Sequence, residues 1–192
     1  GKRMIEELSG VPVPGIVPMF RDIVIEEEDS VELERKIHSL ALGKVNIAIV
    51  LLRHISNFTD FNVLERDSRV NLFYTNNISD IEKADIIILP GTKATLDDLY
   101  ELRRNGVAQA IIRAHKEGKT VIGICGGFQM LGQTVADPDG VEGSVPQLPG
   151  LGLLDTTTVM KHDKVTRQVS FRFNGAECKG YEIHQGDTVY SE

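Results

Sequence analysis

Thr120-Val-Ile-Gly-Ile-Cys125-Gly-Gly-Phe-Gln-Met-Leu-Gly132 decides the fold. An apolar run closes on a glycine, a cysteine and two further glycines, and a helix-like stretch follows. This is the layout of a nucleophile elbow: strand, sharp turn, helix, with the reactive side chain at the apex. Gly123 and Gly127 stand two residues to either side of Cys125, where strand and helix backbones come close and little bulk fits. The turn places the thiol just ahead of a helix N-terminus, whose partial positive charge favours an anion. A lone cysteine at a strand end is more often a buried structural residue; the Gly-x-Cys-x-Gly frame favours the nucleophile.

Working outward from the elbow, strands and helices alternate. Val45-Asn-Ile-Ala-Ile-Val-Leu-Leu52 is apolar enough for a strand buried on both faces. Val70 to Thr75 and Asp85 to Pro90 read as the second and third strands, and Thr120 to Ile124 as the fourth. A short helix is expected within Phe61–Glu65. Thr95 can cap a helix carrying Leu96, Leu99 and Leu102, broken at Asn105-Gly106, and Val107 to Lys116 forms another that ends before Gly118. This rhythm predicts an α/β fold: a mostly parallel, doubly wound sheet of flavodoxin-like type with helices on both faces. Ligands gather at the C-terminal ends of such strands, where the loops Arg53–Asp60, Pro90–Thr95 and Gly123–Gly127 lie.

The flanks differ in texture. Lys2 to Ser9 reads as helix ending at Gly10, and Val11-Pro-Val-Pro-Gly-Ile-Val-Pro18 as a short extended segment. After the acidic run Glu26–Asp29, a capped helix is expected from Asp29 or Ser30 to about Leu42, closed by Gly43. The main domain is therefore placed at 43–192, after a segment 1–42. Residues 136–151 are rich in glycine and proline and read as a long loop. Leu154–Lys161, Lys164–Phe173 and Glu177–His184 read as antiparallel strands, with turns at His162-Asp163 and Asn174-Gly175.

Composition narrows the function. The 192 residues, 41% hydrophobic and 26% charged, suit a soluble globular chain with a sizeable core. A net charge of −7 argues against nucleic-acid binding. No apolar run reaches the length of a membrane span, and no signal peptide opens the chain. Two cysteines, Cys125 and Cys178, fit a reducing cytoplasm. The cysteines and histidines form no zinc spacing, so no metal is expected.

A cysteine nucleophile needs an oxyanion site and a base. The N–H of Gly126 follows the nucleophile, and Leu89-Pro-Gly-Thr92 is well placed to bring a second donor from a neighbouring strand end, Gly91 allowing close backbone approach; a plain strand-to-helix turn at Pro90-Gly91 is the alternative. Of five histidines, His38 is on the linker helix, His115 on a helix surface and His162 in a turn. Position alone favours His184 as base, with His54 behind it; a hydrogen-bonded structural histidine is the alternative for each.

Four stretches together resemble the class I glutamine amidotransferase domain of the cobyric acid synthase family. They are Ile55-Ser-Asn-Phe-Thr-Asp-Phe61, Leu89-Pro-Gly-Thr-Lys-Ala-Thr95, Gly123-Ile-Cys-Gly-Gly-Phe-Gln-Met-Leu-Gly132 and Gly180-Tyr-Glu-Ile-His184. The resemblance covers roughly residues 44 to 192. The elbow is common to class I amidotransferases; the other three stretches point to the cobyric acid branch, since the related cobyrinate a,c-diamide synthase more usually has Pro-Gly-Gly in the second. The resemblance implies that Cys125 attacks the side-chain amide of glutamine and releases ammonia for ATP-dependent amidation of corrin carboxylates, a ligase step in cobalamin biosynthesis. It implies Gly91 and Gly126 as the oxyanion hole and Gln129 as a contact to the substrate glutamine. Residues 1–29 resemble the tail of the family's synthetase domain, where ATP and Mg2+ are expected to bind; none is expected within this chain. The family's base resembles a His-Gly motif further along than Glu192, so the chain is expected to be C-terminally incomplete and poorly active alone. His184 matches a different family position. A non-catalytic interaction module, the glutaminase domain of a cobyrinate a,c-diamide synthase and another cysteine hydrolase such as a small peptidase are the competing readings.

Overall fold

The computed structural model describes residues 2–15 and 40–190. The helix expected between Asp29 and Leu42 falls mostly outside them; Leu40 to Lys44, within them, are not helical. Helix α1 spans Lys2–Ser9, and Gly10 follows in the left-handed region at φ 68°, as its glycine signal requires.

Two four-stranded sheets make up the rest. The first is parallel throughout, in the order β2-β1-β3-β4. It comprises β1 (Val45–Val50), β2 (Val70–Thr75), β3 (Ile86–Leu89) and β4 (Thr120–Gly123). The expected strands are found within two residues at each end. Helices α2 (Asn62–Glu65, preceded by a 3-10 turn at Phe58–Phe61), α3 (Ile78–Lys83), α4 (Thr95–Arg104) and α5 (Val107–Lys116) connect them. The sequence reading did not include α3; its start is set by Asn77, whose side chain accepts from the N–H of Ser79 and Asp80.

Burial explains why the centres of β1, β2 and β3 are apolar on both faces. Ala48, Val50, Phe73, Ile87 and Leu89 face one core, filled by Ile81, Leu99, Leu102, Val107 and Ile111 from α3, α4 and α5. Ile47, Ile49, Leu72, Tyr74 and Ile88 face a second, closed by Phe61. The Phe61 and Tyr74 rings meet edge to face, with centroids 6.4 Å apart. Strand residues thus alternate between two buried faces. Chain order reverses direction between β1 and β3, and the C-terminal ends of these strands meet there.

The second sheet, in the order β6-β5-β7-β8, is mixed. It comprises β5 (Thr134–Ala136), β6 (Gln147–Pro149), β7 (Thr156–Phe173) and β8 (Ala176–Tyr190). β5 runs parallel to β7, and the other pairs are antiparallel. β5 and β6 lie at either end of the stretch read as loop, too short for period-2 alternation to show. The turn expected at His162-Asp163 is absent: β7 continues through it, and the ladder slips instead between Met160 and Val165. The turn signal at those residues became a bulge, because both flanking segments pair with the same strand, β8. The Asn174-Gly175 turn is present, with φ 49° and 84°, and joins β7 to β8.

α6 (Gly126–Met130) packs on the end of β3 through Gly127, where any Cβ would overlap the Leu89 carbonyl and lie 2.8 Å from that of Pro90. Gly127→Ala is expected to lower unfolding stability by about 2–4 kcal/mol, because backbone has to move rather than a side chain. Urea denaturation followed by circular dichroism checks this; a loss below about 0.5 kcal/mol contradicts it.

Candidate functional site

Cys125 sits at the apex between β4 and α6 with φ 52° and ψ −116°, a conformation that residues with a Cβ rarely adopt. Its thiol is exposed and makes no capping bond to the helix it precedes. The turn is held by backbone bonds from Ile124 N–H to Leu89 O and from Gly127 N–H to Ile124 O, both 2.9 Å. Gly123 has no room either: a Cβ there would lie 2.7 Å from the Gly127 carbonyl and from Phe128 Cα.

The other two loops converge on this apex. Ser56 N–H donates to Gly91 O at 2.9 Å and Lys93 N–H to His54 O at 3.1 Å, and Ile55 and Thr92 form an isolated antiparallel bridge. A Cβ on Gly91 would lie 3.1 Å from Ser56 Oγ and 3.6 Å from Cys125 Cβ. One on Gly126 would lie 2.6 Å from Thr92 Cγ2 and 3.1 Å from Thr95 Oγ1. Gly91, Cys125 and Gly126 are therefore neighbours. The N–H groups of Gly91 and Gly126 donate to no acceptor among the described residues.

Gln129, one turn after Cys125, is 8% exposed. Its Oε1 lies 3.5 Å from the Thr95 hydroxyl, and its Nε2 abuts Gly186 of β8. Thr95 was read as the cap of α4, but it is the first helical residue, and Ala94 before it offers no capping side chain. Glu142 takes over that role from the 136–151 stretch, its Oε2 accepting from Thr95 N–H at 2.7 Å. Burial pushes the Glu142 carboxyl above its usual range; the Thr95 bonds oppose this, while Asp137 and Asp97 add to it. The segment around Glu142 is shaped by Asp137. Its buried carboxylate accepts from the N–H of Val141 at 2.7 Å, Glu142 at 2.8 Å and Gly143 at 3.3 Å. Burial alone would raise Asp137, but these backbone donors prevail and hold it below its usual range. The Asp137–Glu142 device was missed at the sequence level; the Asp-Pro-Asp-Gly turn was its visible trace.

The two candidate bases are placed differently. His54 lies in the β1 loop, its Nδ1 3.0 Å from Asp98 Oδ1. Asp98 is 1% exposed and also accepts from the Thr92 hydroxyl and from His54 N–H. That carboxylate ties the β1 loop to the β3 loop next to Gly91. His184 lies on β8, bonded through both ring nitrogens to Gly186 O and Glu182. Neither histidine hydrogen-bonds Cys125. No group of three or more His, Cys, Asp or Glu poised for a metal occurs among the described residues, and no described helix is long and apolar enough to cross a membrane.

Residues 46–192 match the CobB/CobQ-like glutamine amidotransferase domain family. A cobyric acid synthase of Bacteroides fragilis is 66% identical over 191 residues, and one of Phocaeicola vulgatus 64% over 190; each alignment covers 98% of this chain. A cobyric acid synthase of Limosilactobacillus reuteri is 46% identical. The chain spans 38–39% of the length of these relatives. Among solved structures, PurLQS from Thermotoga maritima superposes with a TM-score of 0.55 at 19% identity, over 78% of this chain and 71% of that one. A crystal structure of a glutamine amidotransferase gives 0.56 at 16% identity, over 76% and 74%. At such identities these two speak for the fold.

Asp137→Ala is expected to cost about 1–3 kcal/mol at pH 7, since it strands backbone donors. The folded-state value of Asp137 is depressed, so its contribution is present above the unfolded carboxylate range and is lost as pH falls through the lower folded value. The stability gap between wild type and variant should therefore shrink toward acid in urea titrations. A gap that is constant or widens below pH 4 contradicts this.

Proposed function

The chain belongs to the CobB/CobQ-like glutamine amidotransferase family, and on that premise we propose that it forms the glutamine-hydrolysing part of a cobyric acid synthase. One observation carries the reading: Cys125, at positive φ, neighbours Gly91 and Gly126, whose N–H groups have no acceptor among the described residues. Donors left open beside a nucleophile suit a developing oxyanion, and their geometry is set before substrate arrives.

The proposed reaction starts with the Cys125 thiolate attacking Cδ of glutamine. The carbonyl oxygen becomes an oxyanion held by the Gly91 and Gly126 N–H groups. As the carbonyl reforms, the C–N bond breaks and the amide nitrogen leaves as ammonia, taking through solvent water the proton that the Cys125 thiol released on ionising. A water then hydrolyses the γ-glutamyl thioester, releasing glutamate and restoring the thiol. Gln129 contacts the substrate glutamine from α6. Residues 1–42 join this unit to a synthetase domain that binds ATP and Mg2+ and amidates corrin carboxylates with the ammonia, in a cytoplasmic cobalamin-forming enzyme. The separate chain is expected to turn over slowly, as neither His54 nor His184 is bonded to Cys125.

In the full-length synthase, Cys125→Ser should lower glutamine-dependent ammonia release by about 10³-fold or more while leaving amidation driven by added ammonia intact. Unchanged glutamine hydrolysis in that variant contradicts the assignment. Loss of both activities together contradicts the division of labour.

A further inference from the structure

The polar contacts of His184 on the β7–β8 ribbon lead to Gly186, whose backbone packs against Gln129. His184 Nε2 lies 2.6 Å from Glu182 Oε1, and its Nδ1 lies 2.8 Å from Gly186 O. Both ring nitrogens thus face acceptors within the ribbon, and neither is bonded to Cys125. Glu182 is held in turn by Arg167 across the ribbon, Nε to Oε2 at 2.6 Å.

Gly186 is buried, and a Cβ there would overlap Gln129 Nε2 and lie 2.8 Å from Thr158 Cγ2. The Gln129 amide is thus bracketed by the Gly186 backbone on one side and the Thr95 hydroxyl on the other. The ladder slips at this level: residues 161–164 lie between the Met160–Gly186 and Val165–His184 pairs, opposite Gln185 alone. A slipped ladder loses regular pairing, and the His184 ring supplies the Gly186 carbonyl with a partner.

We propose that His184 is a positioning residue: through the Gly186 carbonyl it fixes the backbone wall against which the Gln129 amide is set, and so orients Gln129 toward glutamine bound at Cys125. The assignment rests on the reading of Cys125 and Gln129 given above and removes His184 from the role of base.

The test compares alkylation of Cys125 in the 192-residue chain by 6-diazo-5-oxo-L-norleucine, an electrophilic glutamine analogue, with alkylation by iodoacetamide. The ratio of the two rate constants, read by mass spectrometry, reports recognition of the glutamine skeleton; the iodoacetamide rate reports the thiol and the fold. Gln129→Ala sets the scale and should lower the ratio about tenfold. His184→Phe, which removes both bonds, and His184→Gln, whose amide reaches Glu182 but not Gly186, should lower it by a similar factor. His184→Asn keeps a donor at the Nδ1 position and should stay within about twofold of wild type. Iodoacetamide rates should not change in any of them.

A wild-type ratio in His184→Phe and His184→Gln, with Gln129→Ala impaired, overturns the role of His184 and leaves that of Gln129 standing. A wild-type ratio in Gln129→Ala overturns both. An equal fall with both reagents in the His184 variants shows a purely structural residue and also overturns the proposal.

Discussion

The site depends on one close approach. The backbone of Gly127 lies against the carbonyls of Leu89 and Pro90, so α6 starts directly on the end of β3. With no side chain at 127 or 123, β4 can turn into α6 within two residues, and Cys125 is forced into the left-handed region at the apex. Such a conformation costs about 1–3 kcal/mol, which the surrounding packing has to offset. That packing is the larger core, where Leu89, Met130 and Leu131 meet residues of α3, α4 and α5. The strained cysteine is thus anchored to that buried core. The same approach brings Gly91 beside Gly126, so the packing that strains Cys125 also gathers the N–H groups proposed to receive a substrate.

A second constraint joins the loops to one another. Asp98, buried on α4, is shared between His54 of the β1 loop and Thr92 of the β3 loop. Glu142 and Asp137 do the equivalent on the far side, fixing the start of α4 next to Gln129. Each of these carboxylates accepts from more than one donor, which suits them to holding loops in register rather than to proton transfer. The family assignment and this scaffold are independent. The first comes from likeness to known domains, the second from contacts within this chain.

Much of the fold was legible because its signals are local. Continuous apolar runs such as Val45–Val50 and Ile86–Leu89 announce strands buried on both faces, and Gly10, Gly106 and Asn174-Gly175 mark ends by their need for positive φ. The elbow was readable for the same reason. What escaped depends on long-range pairing. His162-Asp163 has turn chemistry, yet the flanking segments share one partner strand, and only that pairing makes a bulge of it. α3 is six residues long and mostly polar, so tertiary burial of Ile81 rather than periodicity defines it. The role of His184 was hidden too. Its partners Glu182 and Gly186 are near in sequence, but the residue they act on, Gln129, is more than fifty positions away.

The central claim is that Cys125 is a glutamine-directed nucleophile. It is tested most directly by treating the chain with 6-diazo-5-oxo-L-norleucine, with and without excess L-glutamine, and mapping adducts by mass spectrometry. The account predicts a single adduct on Cys125, suppressed by glutamine, with Cys178 unmodified. Equal modification of both cysteines, or a Cys125 adduct that glutamine does not suppress, would contradict it.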